Sequence, residues 1–293
     1  MICAFCKRMP GARDFAFFLR ISAFYDTIKA KGERFEQRMV PFATKEAEGM
    51  RSGRIARRKG WRGLPKEKMI ERPVSTNHNT GLLGVLAVVF MIIDHVGVVF
   101  FPGAMGMRIA GRMALPLFAW GIAIGAEHTR NIRRYALRLL LMLFISQPFF
   151  NGALNHRWDE KLNIFATLFL GLVAIWGLKE KKEWMTVAAL LLAQFVPMDY
   201  GLRGVLCILL FWALRDNPLA LAVCFGVYCV MWGEGGSVIL TTSLFKVRMQ
   251  TAALLTLPLI LWPCATRTRT PKWLMYAAYP GHLAVLWLLK NAL

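Results

Sequence analysis

Acidic residues are scarce in this sequence: 17 Asp and Glu stand against 37 Lys and Arg in 293 residues. Paired cysteines are scarcer still. Cys3 and Cys6 form a single CxxC with no second pair nearby, and Cys207, Cys224 and Cys229 lie in apolar runs, where they behave as small hydrophobes. No disulfide framework and no metal site is therefore expected. No nucleotide-binding loop is recognisable, and no internal repeat or low-complexity tract stands out. The modestly apolar 15–25 stretch is too short to span a membrane and too polar at its flanks for a signal peptide.

Apolar residues are plentiful. They make up 56 % of the chain with a mean hydropathy of +0.44, whereas about 45–50 % is usual for a soluble domain. The composition defines an all-α, polytopic integral membrane bundle of about eight to ten transmembrane helices. The formal net charge of +20 splits evenly: residues 1–80 hold 18 basic against 8 acidic side chains, and the remainder 19 against 9. A basic excess can signal nucleic acid. In a membrane protein it marks cytoplasmic loops rich in Lys and Arg, so membrane lipids are expected as partners and nucleic acid is not.

Two parts are expected. Residues 1–80 read as a basic, poorly ordered cytoplasmic extension, and 81–293 as the transmembrane domain. The extension has two readings. One is a tail on anionic lipid, each Lys or Arg near the surface adding about 1 kcal/mol. The other is an over-extended reading frame, with translation starting at Met69.

From Leu82 onward about nine apolar segments follow, at 82–101, 105–124, 135–150, 162–178, 184–196, 201–214, 219–231, 238–262 and 273–289. Several are shorter than the roughly 20 residues a spanning helix needs, which predicts tilted or partly buried helices. The 238–262 segment contains Lys246 and Arg248 and is expected to be broken or re-entrant. With the N-terminus inside, the inner loops hold Arg130, Arg133, Arg134, Lys179, Lys181, Lys182, Arg215, Arg267, Arg269 and Lys272, and the outer loops only Arg157 and Lys161. That asymmetry fits the positive-inside rule and a multi-pass protein of the inner (cytoplasmic) membrane.

The chemistry concentrates in 82–120. An apolar run carries Asp94 and His95 near its middle, where an Asp costs roughly 2.5–3.5 kcal/mol by insertion scales. After the Pro102-Gly103 turn, Arg108 and Arg112 lie four residues apart on one helix face. Asp94 is seven residues before Phe101 and Arg112 seven after Met105, so a tight hairpin sets them level. A buried Asp94–Arg112 pair is predicted, with Arg108 the better candidate to snorkel. Such a pair can be purely structural and fix the hairpin, and His95 can merely bond a neighbouring backbone. Alternatively, His95 serves as a general base near neutral pH, and the arginines bind an anion or steady an oxyanion.

Tyr279 and His282 flank Pro280 in the last span, predicting a polar cavity that reaches from mid-membrane outward. His128 and His156 read as solvated loop residues. Asn163 and Thr167 can line the cavity or make interhelical hydrogen bonds. Asp199 reads as a charge at the start of a helix, and Gly201 and Gly204 as sites of close helix approach.

These motifs, in order, resemble one known family. Asp94-His95, Gly111-Arg112-Met-Ala-Leu-Pro116-Leu117-Phe118, His128-Thr-Arg130-Asn131 and Tyr135 to Arg138 open the series. Asn163-Ile-Phe-Ala-Thr167-Leu-Phe-Leu-Gly171, Tyr200-Gly201-Leu-Arg-Gly204, Leu257-Pro258 and Tyr279-Pro280-Gly-His282 continue it. They resemble the TraX family of membrane proteins over about 82–290, and not over 1–75.

That resemblance implies N-terminal acetylation of pilin-like proteins and a build similar to membrane acyltransferases that draw on acetyl-CoA. Carried over, Asp94, His95 and Arg112 would be catalytic, with Arg108, Asn163, Tyr279 and His282 lining the acceptor site. The basic Arg130, Arg133 and Arg134 would take the phosphates of acetyl-CoA. The acceptor would be an amine or hydroxyl, on a small membrane protein or a glycan, and no metal is implied. Two other classes keep the same polar residues: a proton-coupled transporter, which would usually show inverted repeats, and a non-enzymatic assembly factor.

Overall fold

The computed structural model describes residues 80–158, 160–233, 238–241, 246–262, 270 and 272–293. The expectations for the N-terminal extension, for Met69 and for the CxxC lie outside these residues.

The described chain is a helical bundle. α1 spans Thr80–Phe100 and stops two residues before Pro102, since Phe101, the residue preceding the proline, is driven out of helical geometry. α2 (Met105–Gly111) follows the turn and leads into α3 (Ala114–His128). Between them Arg112 and Met113 donate their N–H groups to Ile109 and Ala110, three residues back. The 105–124 segment is thus one rod pinched by a tightened turn at Arg112. Pro116 falls in the first turn of α3, where its missing N–H costs no bond.

α4 runs over Ile132–Leu154, with the Asn131 side chain accepting the Arg134 N–H at its start and Pro148 in its second half. α5 is Ile164–Lys179, capped by Asn163 through the Phe165 N–H. α6 (Glu183–Phe195), α7 (Gly201–Leu214) and α8 (Pro218–Gly233) complete the central part. The apolar 238–262 segment is indeed broken. It forms a short antiparallel pair, β1 (Val238–Thr241) and β2 (Lys246–Arg248), then a 3-10 turn over Met249–Thr256 and α9 (Leu257–Leu261). α10 (Lys272–Ala292) carries Pro280.

α3, α5 and α7 occupy the centre. They pack on one another, and Trp120, Leu172, Ile175, Ile208 and Phe211 are fully buried. α1 packs on α2, α3 and α10, α4 on α5 and α10, α6 on α5 and α7, and α8 on α7 and the 3-10 turn. In lipid, helices gain little from mutual burial of apolar area and associate through close contact. The α5–α7 crossing shows this: a Cβ at Gly204 would overlap the Thr167 methyl. Leu and Phe side chains on the outer faces of α4 and α6, such as Leu137, Phe144, Leu191 and Phe195, are exposed.

Three rods are long and apolar enough to cross a bilayer: Thr80–Phe100, Met105–His128 and Ile132–Leu154. Five further apolar helical stretches, from Ile164 to Leu261, are 10–17 residues long and fall below spanning length. Antiparallel alternation gathers the C-terminal ends of α3, α5 and α7 at one end of the bundle. There Glu127 accepts from Trp212 at 3.1 Å and pairs with Lys179 at 3.5 Å and Arg215 at 3.7 Å. The opposite end holds the α1–α2 turn, the 155–163 loop and the 196–200 loop.

Candidate functional site

At that second end lies a cavity of about 710 Å³ lined by polar groups from α1, α2, the two loops, α7, the 3-10 turn and α10. α1 supplies the first two. Asp94 and His95 are adjacent and therefore point about 100° apart around the helix; both are buried and both line the cavity.

Asp94 accepts a hydrogen bond from Arg108 Nη1 at 2.6 Å, and Arg112 Nη2 stands 3.7 Å from the same oxygen. The carboxylate lies against the Gly111 backbone, where any Cβ would overlap it. Gly111 is therefore required by close approach, and the pinched turn at Arg112 follows at once. The expected Asp94–Arg112 pair forms, but Arg108 holds the tighter contact. The reading of Arg108 as a snorkelling residue is corrected: its guanidinium turns inward. An arginine side chain spans a helical turn, so depth alone does not decide between residues four apart.

His95 turns the other way, toward α10. Its Nδ1 lies 2.7 Å from His282 Nε2, and the two rings are almost coplanar, 3° apart, as an in-plane bond requires. His282 Nδ1 in turn lies 2.7 Å from the Ala278 carbonyl oxygen. A carbonyl can only accept, so His282 Nδ1 carries a proton. Neutral His282 then accepts at Nε2, which requires the proton of His95 on Nδ1. The consequence is a bare lone pair on His95 Nε2. His282 stands behind His95 and orients it, while Tyr279 lines the cavity beside both, its ring 6.1 Å from that of His95.

The far wall comes from the two loops. Leu162 donates to Pro197 and Asp199 to Leu162, which ties the loops together. Lys161 pairs with Asp199 at 3.4 Å. Tyr200 and Gly201 both take positive φ, 65° and 49°, turning the chain into α7; a tyrosine there is strained and glycine is not. His156 lines the cavity, tilted on Phe150 and 3.2 Å from Glu160. It is half-buried, which corrects the expectation of a solvated residue. Glu160 accepts the Arg157 N–H, and that bond with the His156 contact holds its carboxyl below the ordinary value. His128 is exposed at the end of α3, as expected.

Asn163 does not line the cavity, contrary to its expected role at the acceptor. It is fully buried, caps α5 and donates to the Leu143 carbonyl and to Gln147. Its bonds are spent inside the bundle, tying α4 to α5. Thr167 likewise donates to the Asp199 carbonyl. Arg130, Arg133 and Arg134 lie past the other end of α3, whose 15 residues rise about 22 Å at 1.5 Å each. None of the three lines the cavity, and the Arg133 guanidinium covers the Trp176 ring at 5.8 Å.

Sequence reasoning missed Lys161, Gln250 and Arg203 as cavity residues and undervalued His156 and Asp199. The polar pair Gln147 and Asn151, four apart beside Pro148 in an apolar helix, was the available sign of the Asn163 network. Nothing local marked Gln250. Among the described residues no cluster of His, Cys, Asp or Glu could hold a metal.

A multi-pass membrane protein whose polar cavity joins an ion cluster to a histidine pair is the class these features define. The chain belongs to the TraX protein family, whose profile matches residues 79–290. It is 31 % identical over 154 residues to Protein TraX of Escherichia coli, covering 49 % of this chain and 61 % of that one. To Protein TraX of Escherichia coli strain K12 it is 30 % identical over 131 residues, 43 % and 52 % of the two chains. It is also similar to a probable fimbrial assembly protein FimC, serogroup H1, of Dichelobacter nodosus, 34 % identical over 106 residues, 32 % and 43 % of the chains. The aligned region spans less than two thirds of the length of these relatives. No solved structure matches the chain.

Proposed function

We propose that this protein is an integral membrane acetyltransferase that moves an acetyl group from acetyl-CoA to an amine or hydroxyl acceptor. The observation that carries the reading is the chain Ala278 carbonyl–His282–His95, which leaves a lone pair at His95 Nε2 in a cavity large enough for an acceptor group. His95 Nε2 takes the proton of the acceptor as its nitrogen or oxygen attacks the thioester carbonyl. The tetrahedral oxyanion is steadied by an Nη–H of the Arg112 guanidinium, whose Nε–H stays free. The C–S bond then breaks, and the departing thiolate takes the proton back from His95. The products are the acetylated acceptor and free CoA, and His95 is returned to its starting state. A positioned base of this kind contributes typically 10²–10⁴-fold to rate.

The pilus-linked name of the Dichelobacter nodosus relative supports an acceptor on a pilin-like protein. The basic end of the bundle, with Arg130, Arg133, Arg134, Lys179 and Arg215, is the cytoplasmic face by the positive-inside rule, which puts the cavity toward the outer face of the inner membrane. Acetyl-CoA phosphates on Arg130, Arg133 and Arg134 would require the donor's arm to run along α3 to the cavity.

The test is release of free CoA from acetyl-CoA by the protein in lipid nanodiscs. Wild type should turn over, and His95→Ala should lose turnover with unchanged melting. His282→Ala should fall about tenfold or more and shift the pH profile, since it frees the His95 tautomer without removing the base. Neither binding nor turnover of acetyl-CoA in wild type would overturn the reading in favour of a proton-coupled transporter. Equal loss of stability in both variants without a catalytic defect would favour an assembly factor.

A further inference from the structure

The cavity holds more positive charge than its own carboxylates neutralise. Among the described residues Arg108, Arg112, Lys161 and Arg203 line it against Asp94 and Asp199. Arg108 takes Asp94 at 2.6 Å and Lys161 takes Asp199 at 3.4 Å. Arg112 is left over, 3.7 Å from an oxygen that Arg108 already holds. Its Nε–H is buried and makes no hydrogen bond. A second cavity residue carries a donor in the same condition: the side-chain amide nitrogen of Gln250 is buried without a partner. Gln250 sits in the 3-10 turn that packs on α2, the helix that Arg112 caps, and both residues line the cavity. Buried charges are normally paired and buried N–H groups normally bonded, and leaving either unmet is costly.

We infer that Arg112 and Gln250 form a subsite for a single oxyanion, a carboxylate or phosphate, carried by the molecule that reacts beside His95. One anionic group supplies the missing charge for Arg112 and accepts from both orphan donors. Two planar or tetrahedral oxygens match a guanidinium edge and an amide better than a halide does. The inference rests on the reading of the cavity as a substrate site, and it specifies the substrate class: the reacting molecule bears an acid group near its acceptor atom. Asp94 then has a second role, since by engaging Arg108 it reserves Arg112 for the ligand.

The test measures binding, not turnover. The full chain in nanodiscs of zwitterionic phosphatidylcholine is titrated with acetate and with inorganic phosphate, following thermal stability at constant ionic strength against chloride. Acetamide is the neutral control. One or both oxyanions should stabilise saturably and acetamide should not. Loss of one hydrogen bond to a charged group weakens affinity by about tenfold, so Arg112→Gln and Gln250→Leu should each do so, and Lys182→Gln at the far end of the bundle should not. Gln250→Leu carries the test if Arg112→Gln fails to fold. Should only nanodiscs containing phosphatidylglycerol stabilise the protein, with the same dependence on both residues, the oxyanion is a lipid headgroup. No response to any of the three anions, or equal responses in wild type and both variants, overturns the inference. Anion binding that persists in His95→Ala while wild type shows no acetyl transfer would remove the proposed activity and leave the subsite standing.

Discussion

The two ends of the bundle each hold one carboxylate between two cations, and the two clusters are built differently. At one end Glu127 meets Lys179 and Arg215, with Trp212 as a further donor, and 34 % of the Glu127 side chain is exposed. At the other end Asp94 meets Arg108 and Arg112 with 12 % of its side chain exposed. The first ties the ends of three helices together, and it lines no part of the cavity. The second lines a cavity and keeps an unsatisfied donor on Arg112. Equal stoichiometry therefore carries unequal consequences. An exposed cluster is solvated and weakly stabilising, while a buried one depends on every partner present and is indifferent only to partners it was built without.

Removing the acid breaks this comparison most sharply. Asp94→Ala leaves two guanidinium groups facing each other without their counter-charge and should destabilise by about 3–5 kcal/mol, read as lost folded yield or a lowered midpoint in denaturant and detergent. Gly111→Ala tests the same cluster without altering charge. Its Cβ would overlap the carboxylate, and overpacking of this kind costs typically 1–3 kcal/mol; a Tm within a degree of wild type would show that the rod can shift to relieve the overlap. Glu127→Gln is the counterpart at the exposed end. It should cost less than about 1 kcal/mol, and the same measurement in high salt should shrink even that difference. A large loss there would make the two ends equivalent.

Much of the architecture was legible from hydropathy, because a membrane helix writes its length into an unbroken apolar run. α1, the α2–α3 rod and α4 lie where the apolar segments place them, and Lys246 with Arg248 marked the one segment that does not run as a helix. The pinch at Arg112 had a local sign in Pro116, four residues on, which cannot donate to the Arg112 carbonyl and crowds it. The candidate site was half visible. Asp94, His95, Arg108, Arg112 and Tyr279 announce themselves as polar groups in apolar runs. Lys161 and Asp199 sit in loops, where charge is ordinary, and only the pairing of the 155–163 and 196–200 loops brings them to the cavity. Asn163 misled in the opposite sense: it is polar at a helix start, and its bonds go to its own cap and to α4.

The histidine pair has a consequence for the order in which the protein is made. His95 and His282 are 187 residues apart, on α1 and α10. During synthesis α1 enters the membrane early, and its histidine then has no partner to fix which nitrogen holds the proton. Only when α10 docks against α1 and α4 does the Ala278 carbonyl set that choice. The histidine pair thus comes into being with the last described helix, and a nascent chain that stops short of it lacks the pair whatever else has folded.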